Sequence, residues 1–457
     1  MVEVTSDLQQ MAADVVAKAL RAGASDAEAV VYEGEEFSAL VRMGQVETLK
    51  ESGSRAIGLR VFLGTRSANT SSSDFSAESL DKLLDGAMQL AKITGEDPHA
   101  GLPEREEFGK VEGELGLYFD DVNEQPPAER IEIARAVEAA ALGYDERITN
   151  SGGGDFDTAT SRKIMVNSRG FVGEFRKSYC GFSAAPIAQG PTGGMQRNYW
   201  YSSARTVRKL EDPVAIGHEA ARRTLSRLGA RQVKTQAAPV VFSPEIARSI
   251  MGNIFDAANG DAIYRKATFF ADMLGERVAG ENVTVVNDGT MVHDGIGGFG
   301  TSPFDGEGLP TRRTVLIENG VLKNYVMNCY TARKLGMKST GNASRALAGA
   351  PGIGAGNFYL EPGTMSPKEI IGDVKQGLYV TETMGFGVNL VTGDYSQGAS
   401  GVWIENGELA YPVEEITIAG NLKDMYKNIV AIGDDLVFRG ASAAPTIRVE
   451  GMMIAGA

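Results

Sequence analysis

The side chains best suited to hold a soft metal ion are few in this chain of 457 residues. The whole set is three histidines, His99, His218 and His293, and two cysteines, Cys180 and Cys329. Zinc sites take their ligands from such residues, and a site on one helix places two of them a single turn apart. No two of these five have that spacing, so the sequence contains no local zinc motif.

The dipeptide His218-Glu219 begins like the zinc motif HExxH, in which two histidines share one face of a helix. Arg222 occupies the position of the second histidine. His218 instead recurs at helical spacing with apolar residues such as Val214 and Leu225. We therefore predict a structural histidine on an amphipathic helix.

A glycine-rich stretch around Gly295, Gly297 and Gly300 reproduces the GxGxxG pattern of dinucleotide sites. That fingerprint requires a strand before it and a helix after it. Here Pro303 follows within a run of turn-forming residues, which favours a surface loop over a cofactor site.

Support for nucleophilic catalysis is also weak. Ser442 lacks the second glycine of the GxSxG elbow, and no histidine has an evident partner in the sequence. His293, within the glycine-rich stretch, is the best candidate for contact with a ligand. A hydrolytic site built on His293 or the Ser442 region stays open as an alternative.

The cationic stretch Tyr264-Arg265-Lys266 follows a turn-forming Asn-Gly-Asp sequence in an otherwise acidic chain. Arg265 has the planar guanidinium that binds a carboxylate through two hydrogen bonds. Tyr264, Arg265 and Lys266 are therefore candidates for binding a peptide or a neighbouring subunit. A solvated turn is the alternative interpretation.

The composition excludes several classes of protein. The formal net charge of −14 disfavours nucleic acid as a partner, because contact with the phosphate backbone needs clustered Lys and Arg. Two widely separated cysteines do not make a disulfide framework, which indicates a reducing compartment. Without a basic leader or a run of 18 apolar residues, we expect a soluble cytoplasmic protein that does not enter a membrane.

Hydrophobic periodicity predicts an α+β fold in two parts. Residues 1–231 are expected to form an N-terminal domain of helices and an antiparallel meander, the meander spanning residues 29–72. Residues 232–457 are expected to form a β-rich antiparallel domain, barrel-like or sandwich-like. Asn-Gly turns at 319–320 and 406–407 predict two of its hairpins.

Five segments, in this order and spread over most of the chain, resemble the TldD/PmbA family and within it the PmbA (TldE) branch. They are DPHAGLP (97–103), GDAIYRKATFF (260–270), DGIGGFGTSPFDGEG (294–308), ENGVLKNYVMNCYTARKLG (318–336) and AAPTIRVEGMMIAG (443–456).

In this family the TldD-type subunit resembles a zinc peptidase with an HExxxH motif shortly before an Arg-Lys pair. When the chain is aligned on its own Arg265-Lys266 pair, Gly252, Asn253 and Ala257 take the positions of the first histidine, the glutamate and the second histidine. None of the three can bind zinc. The family's C-terminal cysteine ligand is also missing, because no cysteine follows Cys329. The resemblance thus implies that this chain has no catalytic or metal site of its own, and zinc is expected in a partner subunit.

The resemblance further implies a subunit that pairs with a TldD-type protein in a peptidase acting on unfolded peptides, including microcin precursors. A homodimer of this chain also stays open. The alternatives are a peptidase that works alone through an unrecognised site, and an interaction protein that modulates DNA gyrase or a toxin-antitoxin system.

Overall fold

The computed structural model describes residues 2–191 and 193–456, with the backbone alone for residues 2–6. The helices are α1 (Val2–Arg21), α2 (Ala77–Ile93), α3 (Asp121–Glu124), α4 (Pro127–Leu142), α5 (Pro213–Leu225), α6 (Pro244–Ala257), α7 (Gly260–Tyr264), α8 (Cys329–Leu335), α9 (Pro367–Gly372) and α10 (Leu422–Lys427).

The first seven strands are β1 (Asp26–Arg42), β2 (Gln45–Leu63), β3 (Arg66–Ser72), β4 (Ile148–Asn167), β5 (Val172–Gln189), β6 (Met195–Arg197) and β7 (Trp200–Ala204). The later strands are β8 (Gln236–Phe242), β9 (Val285–Asp288), β10 (Val292–His293), β11 (Ile296–Gly297), β12 (Arg313–Glu318), β13 (Val321–Leu322), β14 (Ala343–Ser344), β15 (Gly352–Ile353), β16 (Asn357–Leu360), β17 (Gln376–Met384), β18 (Asp394–Glu405), β19 (Glu408–Asn421), β20 (Ile429–Ile432), β21 (Ser442–Ala443) and β22 (Ile447–Ala455).

Strands β1 to β7 form one sheet in the order β3-β2-β1-β4-β5-β6, with β7 also paired to β5. All of these pairings are antiparallel, and β1 to β3 confirm the predicted meander. Helices α1 and α2 pack on the sheet at β1 to β3, and α4 and α5 pack at β4 and β5. Apolar side chains at helical spacing explain this: six residues of α2, from Leu80 to Ala91, are buried against the sheet.

The C-terminal half contains a closed barrel. Strands β19-β18-β17-β8-β22 pair in that order, and pairing of β19 with β22 closes the ring. A second sheet, β13-β12-β9-β16-β21, lies beside it. The prediction of an α+β fold with a β-rich C-terminal part is confirmed, and that part is a barrel rather than a sandwich.

Two pairings in the C-terminal half depart from the predicted antiparallel arrangement. Strand β8 pairs in parallel with β17, and β16 pairs in parallel with β21. Parallel strands require a long crossover connection, and here four of the five strands of the second sheet, all except β21, lie between β8 and β17 in the chain. Local turn signals carry no information about such a pairing.

The two Asn-Gly turns are confirmed as hairpins. Asn319 and Gly320 have φ angles of 48° and 80°, and Asn406 and Gly407 have 52° and 80°. Two consecutive positive φ angles define the turn whose twist matches that of paired strands, and Asn-Gly adopts it at low cost.

Among the described residues, no helix combines the length and the apolar character needed to cross a membrane.

A loop between β14 and β15, residues 345–351, joins the two halves of the molecule. Leu347 of this loop packs beside the cluster of Val30, Met165, Phe171 and Phe304. The loop passes so close to β2 that a Cβ on Gly58 would lie 2.0 Å from the Leu347 carbonyl oxygen. Gly58 is therefore required for this contact between the halves.

We expect Gly58→Ala to lower the free energy of unfolding by about 1–3 kcal/mol, because the added methyl group must displace backbone. Gly53→Ala on the same strand is the matched control, since its Cβ would meet no atom within 4 Å. Urea denaturation of both variants measures the effect. Equal midpoints for the two variants would contradict the contact.

Candidate functional site

A cleft of about 790 Å³ opens where the N-terminal sheet meets the C-terminal half. Its walls come from the start of β3, the loop 97–101, the end of α6, helix α7 and the start of α8. Strand β3 is an edge of the seven-stranded sheet, and Ser67 of this strand lines the cleft. The cleft is therefore bordered by a strand with one unpaired side in the described chain.

Helix α8 fastens the loop 97–101 to the cleft. The Arg333 guanidinium donates hydrogen bonds to the carbonyl oxygens of His99 (3.1 Å), Gly101 (3.0 Å) and Leu102 (2.6 Å). The Tyr330 hydroxyl donates to Asp97 at 2.8 Å. Burial raises the pKa of Asp97, but hydrogen bonds from the His99 amide and Tyr330 outweigh it and leave the pKa lowered. Asp97 is thus a firmly held anion at the rim.

The opposite wall is formed by the end of α6 and by α7. The Asn259 side chain caps α7 by accepting from the Asp261 amide at 3.0 Å. Arg265 lies one turn further and pairs with Asp261 at 3.0 Å. Asp256, which also lines the cleft, has no ion pair among the described residues, and burial raises its pKa. This wall is therefore net acidic.

The cleft is also lined by a buried acid that sequence analysis missed. Glu307 is 3% exposed and accepts a hydrogen bond from the Cys329 amide at 2.8 Å. Burial, together with the charge of neighbouring Asp305, raises the pKa of Glu307 to about 7. Asp305 in turn accepts from the amides of Glu307, Leu309 and Ala343. The motif DGEG contains both acids, but nothing in its composition indicates burial.

The structure brings only one of the four predicted binding residues into the cleft, namely Arg265. Tyr264 is 44% exposed next to it and accepts a hydrogen bond from Lys334 at 3.4 Å. Lys266 pairs with Asp272 at 3.3 Å on the surface. The side chain of His293 is 91% exposed on the β10–β11 hairpin, 3.6 Å from Asp294, and does not line the cleft.

Gly252, Asn253 and Ala257, which the sequence resemblance aligned with the metal motif of TldD-type subunits, lie on α6. A Cβ added to Gly252 would meet no atom within 4 Å, so that position faces open space. The Asn253 amide donates to the carbonyl oxygens of Ser249 and Ile250 within the helix. Ala257 is fully buried in the core of the C-terminal half. Hydrogen, amide and methyl side chains provide no imidazole, thiolate or carboxylate, so these residues do not fit zinc.

Within residues 2–191 and 193–456, no group of three or more His, Cys, Asp or Glu side chains has the geometry to hold a metal ion.

The interpretation of His218 as a residue on an apolar stripe was wrong. His218 is exposed and lies 5.2 Å from the ring of Tyr144, and Val214 is 45% exposed. Helix α5 buries the neighbouring face through residues such as Ile216 and Ala220 instead.

Comparison with known proteins defines the class. Three family models match the chain: PmbA/TldA metallopeptidase domain 1 at residues 27–91, the central domain at 120–228 and the C-terminal domain at 235–456. The chain belongs to the PmbA/TldD family.

Individual relatives agree with this assignment. Over 438 residues the chain is 37% identical to the Escherichia coli O157:H7 protein named metalloprotease PmbA, covering 96% of this chain and 94% of that protein. A Bacteroides thetaiotaomicron structure described as a modulator of DNA gyrase has a TM-score of 0.90 and 26% identity, with 98% of each chain covered. TldE from Thermococcus kodakarensis shares the fold, with a TM-score of 0.86, 22% identity and coverage of 98% of this chain and 100% of that one.

Proposed function

We propose that this chain is the metal-free subunit of a heteromeric peptidase in which a TldD-type partner holds the zinc ion and hydrolyses unfolded peptides. The chain itself binds no cofactor in this proposal. Membership of a family of metallopeptidases supports the reaction class. The similarity of its fold to that of a protein named TldE supports the choice of branch.

The observation that carries the proposal is the chemistry of α6. A catalytic zinc site needs three protein ligands and a position for water. Gly252, Asn253 and Ala257 supply none of these ligands. The nearest acid on the helix is Asp256, which belongs to no group of three or more possible metal ligands among the described residues. A histidine at position 257 would also have to enter a packed core. We therefore assign the bond-breaking step to the partner.

The contribution of this chain is to bind and orient the peptide. The edge strand β3 borders the cleft, and an extended peptide that pairs with such an edge gains backbone hydrogen bonds whatever its sequence. A folded protein has most of its backbone hydrogen-bonding groups already paired, so it offers far less free backbone to this edge than an unfolded chain does. Selection for unfolded chains follows from that requirement.

The two cysteines, Cys180 and Cys329, are both free and buried, which supports a reducing compartment. We propose that the complex works in the cytoplasm.

The test compares the chain purified alone with the chain co-purified with a TldD-type subunit, using unfolded casein as substrate. We expect casein to be hydrolysed no faster with the isolated chain than in buffer alone, with or without added zinc. Metal analysis should find zinc only in preparations that contain the partner subunit. His293→Ala and Ser442→Ala should leave the activity of the complex unchanged. Casein hydrolysis by the isolated chain that a chelator stops would refute the proposal.

Binding to DNA gyrase is a second candidate, favoured by the description of the Bacteroides structure. It predicts a direct complex with gyrase that forms without a TldD-type subunit. Co-purification from a mixture of the two purified proteins tests it. The net charge of −14 argues against direct contact with DNA in such a complex.

A further inference from the structure

A groove crosses β4, β5 and β7 of the seven-stranded sheet. None of the residues named as lining this groove also lines the cleft. A cavity of about 290 Å³ in this groove is lined by Asp155, Ser183, Tyr179, Tyr199 and Tyr201, among others. It adjoins a second cavity of about 250 Å³, and Tyr179 lines both. The groove therefore presents several aromatic rings and an acid along one path.

Strand register explains why these residues meet. Asp155 of β4 lies opposite Ser183 of β5, and Ser183 lies opposite Tyr201 of β7. Side chains in such a cross-strand row point to the same face of the sheet. A Cβ on Gly181 would lie 2.6 Å from the Tyr179 hydroxyl oxygen, so the missing side chain at position 181 leaves room for that phenol.

The acids of the groove have no cationic partner of their own. Asp155 accepts a short hydrogen bond from the Ser183 hydroxyl, and Asp157 lines the adjoining cavity. Neither carboxylate forms an ion pair with any described residue of the chain. Burial raises the pKa of Asp155 to about 6; the Ser183 hydrogen bond opposes this rise and the charge of Asp157 adds to it. At neutral pH the groove therefore holds uncompensated negative charge.

Two nearby cations do not neutralise this charge. Lys50 lines the adjoining cavity together with Asp157, but the two form no ion pair within 4.0 Å. Arg439 donates to the Tyr201 carbonyl oxygen at 3.0 Å and pairs with Glu211. A cation from outside the chain would meet both the free acids and the faces of the tyrosines.

We propose that this groove, formed by Asp155, Asp157, Tyr179, Tyr199 and Tyr201, binds a lysine or arginine side chain of an unfolded peptide. A cation gains from the negative face of an aromatic ring as well as from a carboxylate, and Tyr and Asp supply both here. The ring of Tyr199 is within reach of a ligand, since this residue is 58% exposed and its ring lies 6.2 Å from that of Tyr201. This inference rests on the proposed function, because that function supplies the unfolded peptide whose side chain is the cation.

The experiment measures binding to the isolated full chain by fluorescence anisotropy. The probes are two short unstructured labelled peptides, capped at both ends, that differ only in a single lysine or acetyl-lysine. We expect the lysine peptide to bind about tenfold more tightly, since acetylation removes the charge. Asp155→Asn and Tyr199→Ala should abolish this preference.

Two control variants separate recognition from folding. Tyr199→Phe keeps the aromatic face and should keep the preference. Tyr144→Ala should also keep it, because Tyr144 lies outside the groove and is 43% exposed, compared with 58% for Tyr199. Equal affinity of the parent chain for both peptides, or a preference that survives Asp155→Asn, would overturn the proposal. The assay needs no hydrolysis and no partner, so its failure is distinct from failure of the proposed subunit role.

Discussion

Glu28→Ala is expected to lower the free energy of unfolding by about 3–5 kcal/mol, because it leaves buried guanidinium groups without their counter-ion. Glu28 is fully buried on β1 and lies 3.3 Å from Arg60 on the neighbouring strand β2. Arg345, from the loop that joins the two halves, approaches the same carboxylate oxygen at 2.6 Å. One carboxylate thus compensates two buried cations from different halves of the molecule.

Several buried polar atoms of this cluster have no hydrogen-bond partner, although Glu307 is a second acid that interacts electrostatically with Arg345. The Nε atoms of Arg60 and Arg345 are buried without hydrogen-bond partners, and so is Oε2 of Glu28. A buried charge without a partner costs several kcal/mol in a medium of low dielectric constant. Removal of the carboxylate is therefore much worse than loss of an ordinary surface ion pair.

Urea denaturation at neutral pH measures this effect, with Glu78→Ala as the matched control. Glu78 pairs with Lys82 one turn along α2, and both side chains are more than 70% exposed. Such pairs contribute about 0.3–0.5 kcal/mol. A loss below about 1 kcal/mol for Glu28→Ala would contradict a mutual compensation of charge in this cluster.

Glu307→Gln is expected to stabilise the protein at pH 8, by up to about 3 kcal/mol. Burial and the charge of Asp305 raise the folded-state pKa of Glu307 from 4.5 to about 7. Between these two values the folded state holds more protons than the unfolded state, so stability falls as pH rises through this window. The unfavourable contribution is absent below about pH 4.5 and complete above about pH 7. Glutamine carries no charge to bury, and its oxygen can still accept from the Cys329 amide.

The groups that face Glu307 fix the sign of this expectation. Asp305 and Glu28 are acids that oppose its ionisation, the buried Arg345 guanidinium is a cation that favours it, and Cys329 lies beside it as a thiol whose pKa is itself raised by burial. Asp305 titrates together with Glu307, so the measured slope of the parent protein belongs to the pair. The variant should show a flatter dependence of stability on pH between about 4.5 and 7.

Denaturation midpoints of the parent and the variant at pH 4.5, 6 and 8 test this expectation. Glu361→Gln is the control, because Glu361 pairs with Arg313 at 2.9 Å on the surface. This control should change stability by less than about 1 kcal/mol at each pH. A Glu307→Gln variant that is less stable than the parent at pH 8 would contradict this expectation. It would show that the protein stabilises the ionised carboxylate of Glu307.

Local signals in the sequence predicted much of the fold. Hydrophobic periodicity predicted the α+β class with a β-rich C-terminal part, and the structure has both. The meander of β1 to β3 and both Asn-Gly hairpins also formed as predicted. These features depend on contacts between near neighbours in the chain, which is the range over which periodicity and turn chemistry act.

The candidate sites were less accessible to prediction. Arg265 was expected at a binding site and lies in the cleft, whereas His293 was a candidate and lies elsewhere on an exposed hairpin. Asp256 and Glu307 were not singled out, because isolated acids in an acidic chain carry no sign of burial. Their altered pKa values arise only when other segments exclude water from them.

The sequence by itself determined the α+β class, the family resemblance and the absence of imidazole, thiol and carboxylate side chains at positions 252, 253 and 257, because each depends on residue type and order along the chain. The tertiary structure alone decided that Asp97, Asp256 and Glu307 share one cleft. It alone joined Glu28 to Arg345, and brought Asp155 and three tyrosines into one groove. Such meetings depend on strand register and on packing between distant segments, which residue spacing does not encode.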